Sequence, residues 1–258
     1  PVAHSFPTRR SSDLTAFFAV GPLLFLTIPQ PDPAALEDDH GLASVVKDIK
    51  EGFRYVFAWP GLMALIGIAV LINLVATPSF SLLPLLVKGH FGGGAMQLGW
   101  ADSAYGVGIV LGGLALSTWG GFKRRIFTTI LGLLGFGVGF LMVGLAPAAW
   151  FLLAVSGMFV IGSMLSLINE PALAICQAAI TPGMQGRVFS LITSLSKISA
   201  PLGLVIAGPL AELTSVKIWF IAAGLVTTSL GVISFFIPAL TGIEEQPHRA
   251  REAAAEVG

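Results

Sequence analysis

Six apolar runs, each about as long as a bilayer is thick, constrain this chain more than any other feature. They occupy 62–87, 98–119, 126–145, 148–180, 188–213 and 218–240, and about 20 residues suffice to cross a hydrocarbon core as a helix. None of them alternates apolar and polar residues with a period of two, which removes transmembrane β-strands. Helices remain, because a segment in lipid must satisfy its own backbone hydrogen bonds. Composition points the same way: 55% of residues are hydrophobic and 11% charged, against about 25% charged in soluble domains. The expected fold class is an all-α membrane protein built as a bundle of six transmembrane helices, 62–240.

An earlier apolar run, 15–28, reads as the end of a helix whose beginning is absent, so the chain reads as a fragment. The residues before it, "PVAHSFPTRRSSDL" (1–14), are polar and aperiodic. They resemble a translated sequencing-adapter read and are set aside as a non-native head. The segment 29–61 is polar; its first half, with three prolines and Glu37, Asp38 and Asp39, lacks the apolar surface to fold alone. Its second half places Val45, Val46, Ile49, Phe53, Val56 and Phe57 on one helical face opposite Lys47, Asp48, Lys50, Glu51 and Arg54, which suits a helix lying on the membrane surface.

The 14 Lys and Arg balance the 14 Asp and Glu, so no overall basic charge suggests nucleic acid, and the cations are read by position instead. If 29–61 is cytoplasmic, that side holds Lys47, Lys50, Arg54, Lys123, Arg124, Arg125, Arg187, Arg249 and Arg251, while the other holds Lys88 and Lys217. This asymmetry places both ends and the tail 241–258 in the cytoplasm. The three cations of "TWGGFKRRI" then sit in a short cytoplasmic turn, although no acid between Asp102 and Glu170 balances them. The lone Cys176 lies in an apolar run and reads as a packing residue.

Ionisable groups inside spans are costly and therefore functional candidates. Asp102, near the outer end of its span, is either a solvated cap or a substrate or proton group. Glu170 and Lys197 lie about eleven and ten residues from the cytoplasmic turn "TPGMQGR", which at 1.5 Å per residue puts both roughly 15 Å above it. The expectation is a pair, either a fixed bridge or one that opens when Glu170 takes a proton; Pro171 beside it weakens the helix. Asn73, Thr77 and Ser81 form a polar stripe at i, i+4 and i+8 that faces either a neighbouring helix or a cavity. Gly108-x-x-x-Gly112 and Gly135-x-x-x-Gly139 read as close helix contacts. Phe80, Phe91, Trp100 and Tyr105 are either an aromatic wall for a large substrate or, more simply, interfacial aromatics. No zinc-ligand spacing, nucleophile elbow or phosphate loop occurs; the glycine-rich "GHFGGGAMQLG" falls between two spans rather than between a strand and a helix. Neither an enzyme nor a metal site is indicated.

The order of parts, and the strings "DIKEGFRYVFAWPGL", "NLVATPSFSLLPLLV", "FGGGAMQLGWADSAYGVGIVLGG" and "GRVFSLITSLSKISAPLGLVIAGPLAEL", resemble the C-terminal half of a major facilitator superfamily transporter, in the branch of macrolide-efflux and enterobactin-exporting drug:proton antiporters. The family's cytoplasmic-loop motif G-x-x-x-D-[RK]-x-G-[RK]-[RK] is partly matched: Gly113, Ser117 and Gly120 keep its spacing, followed by Lys123, Arg124 and Arg125. Ser117 stands where the motif has its acid, which puts the charge-relay role of that position in doubt. The resemblance implies alternating access driven by the proton gradient without a cofactor, a small hydrophobic substrate such as a macrolide, and a location in the bacterial inner membrane with lipid bilayer around it. It also implies an N-terminal half missing from this chain as partner. A siderophore or lysolipid exporter of the same fold, or a non-transporting membrane scaffold, are the alternatives.

Overall fold

Helices account for almost all of the computed structural model, which describes residues 52–244 apart from 181 and 214. The 1–14 head, the 15–28 run, the acidic part of the linker and the tail beyond 244 lie outside the described residues. A helical segment at 52–57 leads into six long helices: α1 Pro60–Gly89, α2 Ala95–Trp119, α3 Arg125–Leu145, α4 Phe151–Ala179, α5 Pro182–Leu213 and α6 Val216–Phe236. A short α7, Pro238–Thr241, follows. Among the described residues there is no strand. All six expected spans are present as helices, and the all-α expectation holds.

Helix ends follow local chemistry. Pro60 opens α1, where its missing N–H is no loss. The Gly94 N–H donates to Gln97 Oε1 at 2.9 Å to start α2, and Gly120, left-handed at φ 77°, ends it. Near the linker, Phe53 and Phe57 stack with centroids 6.1 Å apart and remain exposed, while Val56 is buried. The single apolar face expected for Phe53, Val56 and Phe57 is thus split in the segment 52–57, with the valine buried and the two rings exposed.

Five of the six long helices are apolar enough by length and composition to cross a membrane. The exception is α2, diluted by Gln97, Asp102, Ser103, Tyr105 and its glycines. It is also the least covered, with Ala101, Gly108 and Gly112 as its buried residues.

The helices pack as two triplets. In the first arrangement α4 lies against α2 and α3; in the second α1 lies against α5 and α6, less densely; α3 and α6 join the two. Lipid offers apolar side chains no reason to leave it, so small residues and interhelical hydrogen bonds hold such a bundle. At the α2–α4 crossing, a side chain on Gly108 would meet the Phe159 carbonyl, one on Gly112 the Ser163 carbonyl and one on Gly162 the Tyr105 carbonyl. Ser166 Oγ of α4 donates to the Ile109 carbonyl of α2 at 3.0 Å. On the other side Trp219 Nε1 of α6 donates to the Val75 carbonyl of α1 at 3.1 Å. Gly135 and Gly139 likewise bring α3 onto Met164 and Gly157 of α4. Phe140, fully buried, touches Phe80, Phe136 and Phe220, and Phe80 also touches Tyr105 at 5.1 Å. Phe80 and Tyr105 are therefore interior packing rings rather than interfacial ones.

Two boundaries differ from the sequence expectation. Residues 182–187 of the expected turn "TPGMQGR" belong to the first turns of α5. At the other end α6 stops at Phe236, because Pro238 cannot donate to a continuing helix. Instead α7 folds back, with Leu240 and Ile243 buried.

Candidate functional site

The candidate polar and charged residues stand on α1, α2, α4 and α5. Asp102, two turns into α2, is exposed, as are Glu170 on α4 and Lys197 on α5. The expected Glu170–Lys197 pair does not form: neither makes an ion pair or hydrogen bond among the described residues. The reason is geometric. Because α5 begins at Pro182, Lys197 stands fifteen residues, about 22 Å, up its helix, while Glu170 is nine residues, about 14 Å, from the end of α4 at Ala179. The two helices also fail to pack along their lengths. Adjacent order in the chain has not produced adjacency in space.

The α2–α4 contacts Tyr105 with Gly162 and Ile109 with Ser166 both step by four in the same direction, so the two helices run parallel. Glu170 is one turn beyond Ser166 on α4, and Gly113 and Ser117 are one and two turns beyond Ile109 on α2. Ser117 Oγ is used locally, donating to the Leu114 carbonyl at 2.8 Å.

The stripe on α1 is only partly open. Asn73 and Thr77 are half-buried and Ser81 is exposed; Asn73 Nδ2 donates to the Ala69 carbonyl at 2.9 Å and Ser81 Oγ to the Thr77 carbonyl at 3.2 Å. Both donors return to their own helix, and among the described residues the Asn73 Oδ1 and the Thr77 hydroxyl make no hydrogen bond. Pro78 lacks the N–H that the Leu74 carbonyl would otherwise receive, and Gly203 of α5 closes on that carbonyl and on Pro78 Cγ.

The cationic turn contains the residue that sequence reasoning missed. Lys123, Arg124 and Arg125 are exposed at the start of α3, where cations oppose the helix dipole. Arg124, the N-cap, contributes no side-chain cap. The carboxylate comes from 118 residues away: Glu244 Oε1 accepts the Ile126 N–H at 2.9 Å. Thr128 Oγ1 accepts the Phe122 N–H at 2.9 Å and closes the turn itself. An acid just past the last span, following Ile243, was the available signal. Replacing Glu244 with Ala should cost about 1–2 kcal/mol, the worth of a charged cap, and Gln should cost less. The unfolding midpoint of the purified variants checks this; equal midpoints would remove the capping role.

Among the described residues no group of three or more His, Cys, Asp or Glu could hold a metal ion. What the site offers is a set of separate charges and hydrogen-bonding groups on helices otherwise apolar.

Known proteins resemble this chain in the same region. The family model described as Major Facilitator Superfamily matches residues 65–257. Macrolide efflux protein A of Streptococcus pyogenes is 26% identical over 188 residues, 73% of this chain and 46% of that protein. Multidrug efflux pump Tap of Mycolicibacterium fortuitum is 27% identical over 219 residues, 83% of this chain and 50% of that protein. Macrolide efflux protein A of Enterococcus faecalis is 27% identical over 159 residues, 62% and 49% of the two chains. The chain spans about half the length of the curated relatives it matches. No solved structure gives a significant match.

Proposed function

This chain belongs to the major facilitator superfamily, and from that premise we propose that it forms one six-helix half of a proton-coupled exporter of hydrophobic drugs. The observation that carries the reading is the exposure of Asp102 on α2 and of Glu170 and Lys197 on two helices apolar enough to cross a membrane. A charge facing hydrocarbon costs at least a few kcal/mol, and charges in spans usually line a wet cavity or meet another polar surface. A second six-helix half would supply both, with the cavity between the two bundles. The efflux functions in the names of the longer relatives support the drug class. Glu170 and Asp102 are the carboxyls available for proton coupling, with Asn73, Thr77 and Ser81 as substrate-contacting candidates.

The experiment joins residues 15–258 in frame to the N-terminal half of a macrolide or multidrug efflux relative. Cells carrying the joined protein should accumulate less macrolide, a protonophore should abolish the difference, and the 258-residue chain alone should give no efflux. Efflux that ignores the proton gradient would remove the coupling. Export of a siderophore or lysolipid instead of drugs would move the substrate class, and no transport of any of these would favour a scaffold.

The proposed placement is the bacterial inner membrane with both ends cytoplasmic. In intact cells an impermeant maleimide should label Gly93→Cys and not Phe122→Cys, each introduced with Cys176 replaced by Ser. The opposite pattern would invert the orientation.

A further inference from the structure

Between α4 and α5, which make little contact, lies a cavity of about 290 Å³, toward the end of the bundle where α4 stops and α3 and α5 start. Residues of α1, α3, α4, α5 and α7 line it. Its back wall is apolar, made by residues of α1 and α3 such as Ile68, Ile72, Ile130 and Leu133, and Leu240 of α7 forms part of its boundary. The Glu244 cap on α3 helps hold that returning segment in place.

The mouth is defined by exposure. Of the lining residues, those exposed are Asn169 and Leu173 of α4 and Thr193 of α5, so the cavity opens between these two helices. The Asn169 carboxamide and Thr193 hydroxyl make no hydrogen bond among the described residues. Two hydrogen-bonding groups therefore flank the entrance of a mostly apolar chamber, whose one other polar side chain, Thr129, donates to the Arg125 carbonyl of its own helix. A mostly apolar pocket with a few placed polar groups is the usual form of a small-molecule site.

Size selects the ligand. A cavity of about 150 Å³ lined by aliphatic and aromatic side chains stays dry and takes one benzene; this one is about twice that volume. We propose that the cavity binds one compact, uncharged, two-ring-sized apolar molecule carrying a single hydroxyl or amide, with the rings among the isoleucines and the polar group at Asn169 and Thr193. A charged ligand is disfavoured, because no ionisable side chain other than the thiol of Cys176 lines it. This site does not depend on the transport reading: it could exist in a chain that moves nothing, and transport could proceed without it.

Cys176 supplies the assay. It lines the cavity, is 5% exposed and is the one cysteine of the chain, so N-ethylmaleimide must enter the cavity to reach it. The full chain in phosphatidylcholine nanodiscs is treated with N-ethylmaleimide, with and without 1-naphthol, and the adduct is followed by mass spectrometry. Saturating 1-naphthol should slow the reaction at least threefold, and naphthalene, lacking the hydroxyl, should require a higher concentration. Thr193→Val, a near-isosteric change at an exposed position, should erase the preference for naphthol over naphthalene. Ala172→Phe, which fills the chamber, should make labelling insensitive to naphthol. A control with Cys176→Ser and Val205→Cys, the latter at a position 71% exposed, should label at one rate throughout. Equal slowing of this control would show a bilayer effect and overturn the site. So would no protection by naphthol, or a Cys176 rate that follows lipid chain length from 14 to 18 carbons, which would identify a lipid tail as the occupant.

Discussion

Gly112→Leu should abolish the folded bundle, or lower its unfolding free energy by about 3 kcal/mol or more. A side chain at this position meets the backbone of α4, the carbonyl and Cα of Ser163, rather than the movable end of another side chain. Overpacking at side chains typically costs about 1–3 kcal/mol; here the helices must separate, which also breaks the Ser166–Ile109 hydrogen bond three residues away. Gly162→Val should behave alike, since it faces the Tyr105 carbonyl from the other helix. Gly106→Leu is the control: nothing stands within 4 Å of a side chain there, and its effect should stay within about 0.5 kcal/mol. The yield of monodisperse detergent-solubilised protein and its unfolding midpoint report the difference. A Gly112→Leu protein as stable as Gly106→Leu would show that the close α2–α4 crossing does not hold the bundle.

The six helices were legible because span length and hydrocarbon thickness match, and small-residue spacing such as Gly108-x-x-x-Gly112 marked a crossing. What could not be read was which way each helix faces. In a soluble protein the polar stripe points outward, but here core and lipid are both apolar and the pattern carries little direction. Phe80 and Tyr105 therefore read as interfacial although they pack around Phe140. The Glu170–Lys197 expectation failed for a related reason: it assumed that helices consecutive in the chain are neighbours, whereas α4 sits against α2 and α3, and α5 against α1. It also began α5 six residues late, since Pro182 and Gly183 look like turn residues although Pro is favourable in a first helical turn. Glu244 escaped notice because its partner is a backbone N–H 118 residues away; an acid just past the last span is visible in the sequence, but its partner is not. The candidate residues themselves could be found, because an acid or lysine within an apolar run is conspicuous whichever way it faces.

The separation of Glu170 from Lys197 changes what neutralising them should do. A bridged pair would lose heavily when one partner is removed and recover in the double variant, because an unpaired buried charge is the costly state. Both groups are exposed and unpaired among the described residues, so Glu170→Gln and Lys197→Met should each leave the unfolding midpoint of the 258-residue chain within the range of ordinary surface changes, about 0.5 kcal/mol. The double variant should show the sum. In the joined two-half protein the same substitutions should act on transport: Glu170→Gln should lower proton-driven macrolide efflux at least tenfold if this carboxyl carries the coupling proton, while expression stays constant. Lys197→Met should weaken efflux without removing its dependence on the gradient, since it leaves the carboxyl in place. Recovery of efflux in the double variant would mean that the two charges meet once the second half is present. Full proton-driven efflux with Glu170→Gln would instead remove Glu170 from coupling and leave Asp102 as the acid of this half still to be tested.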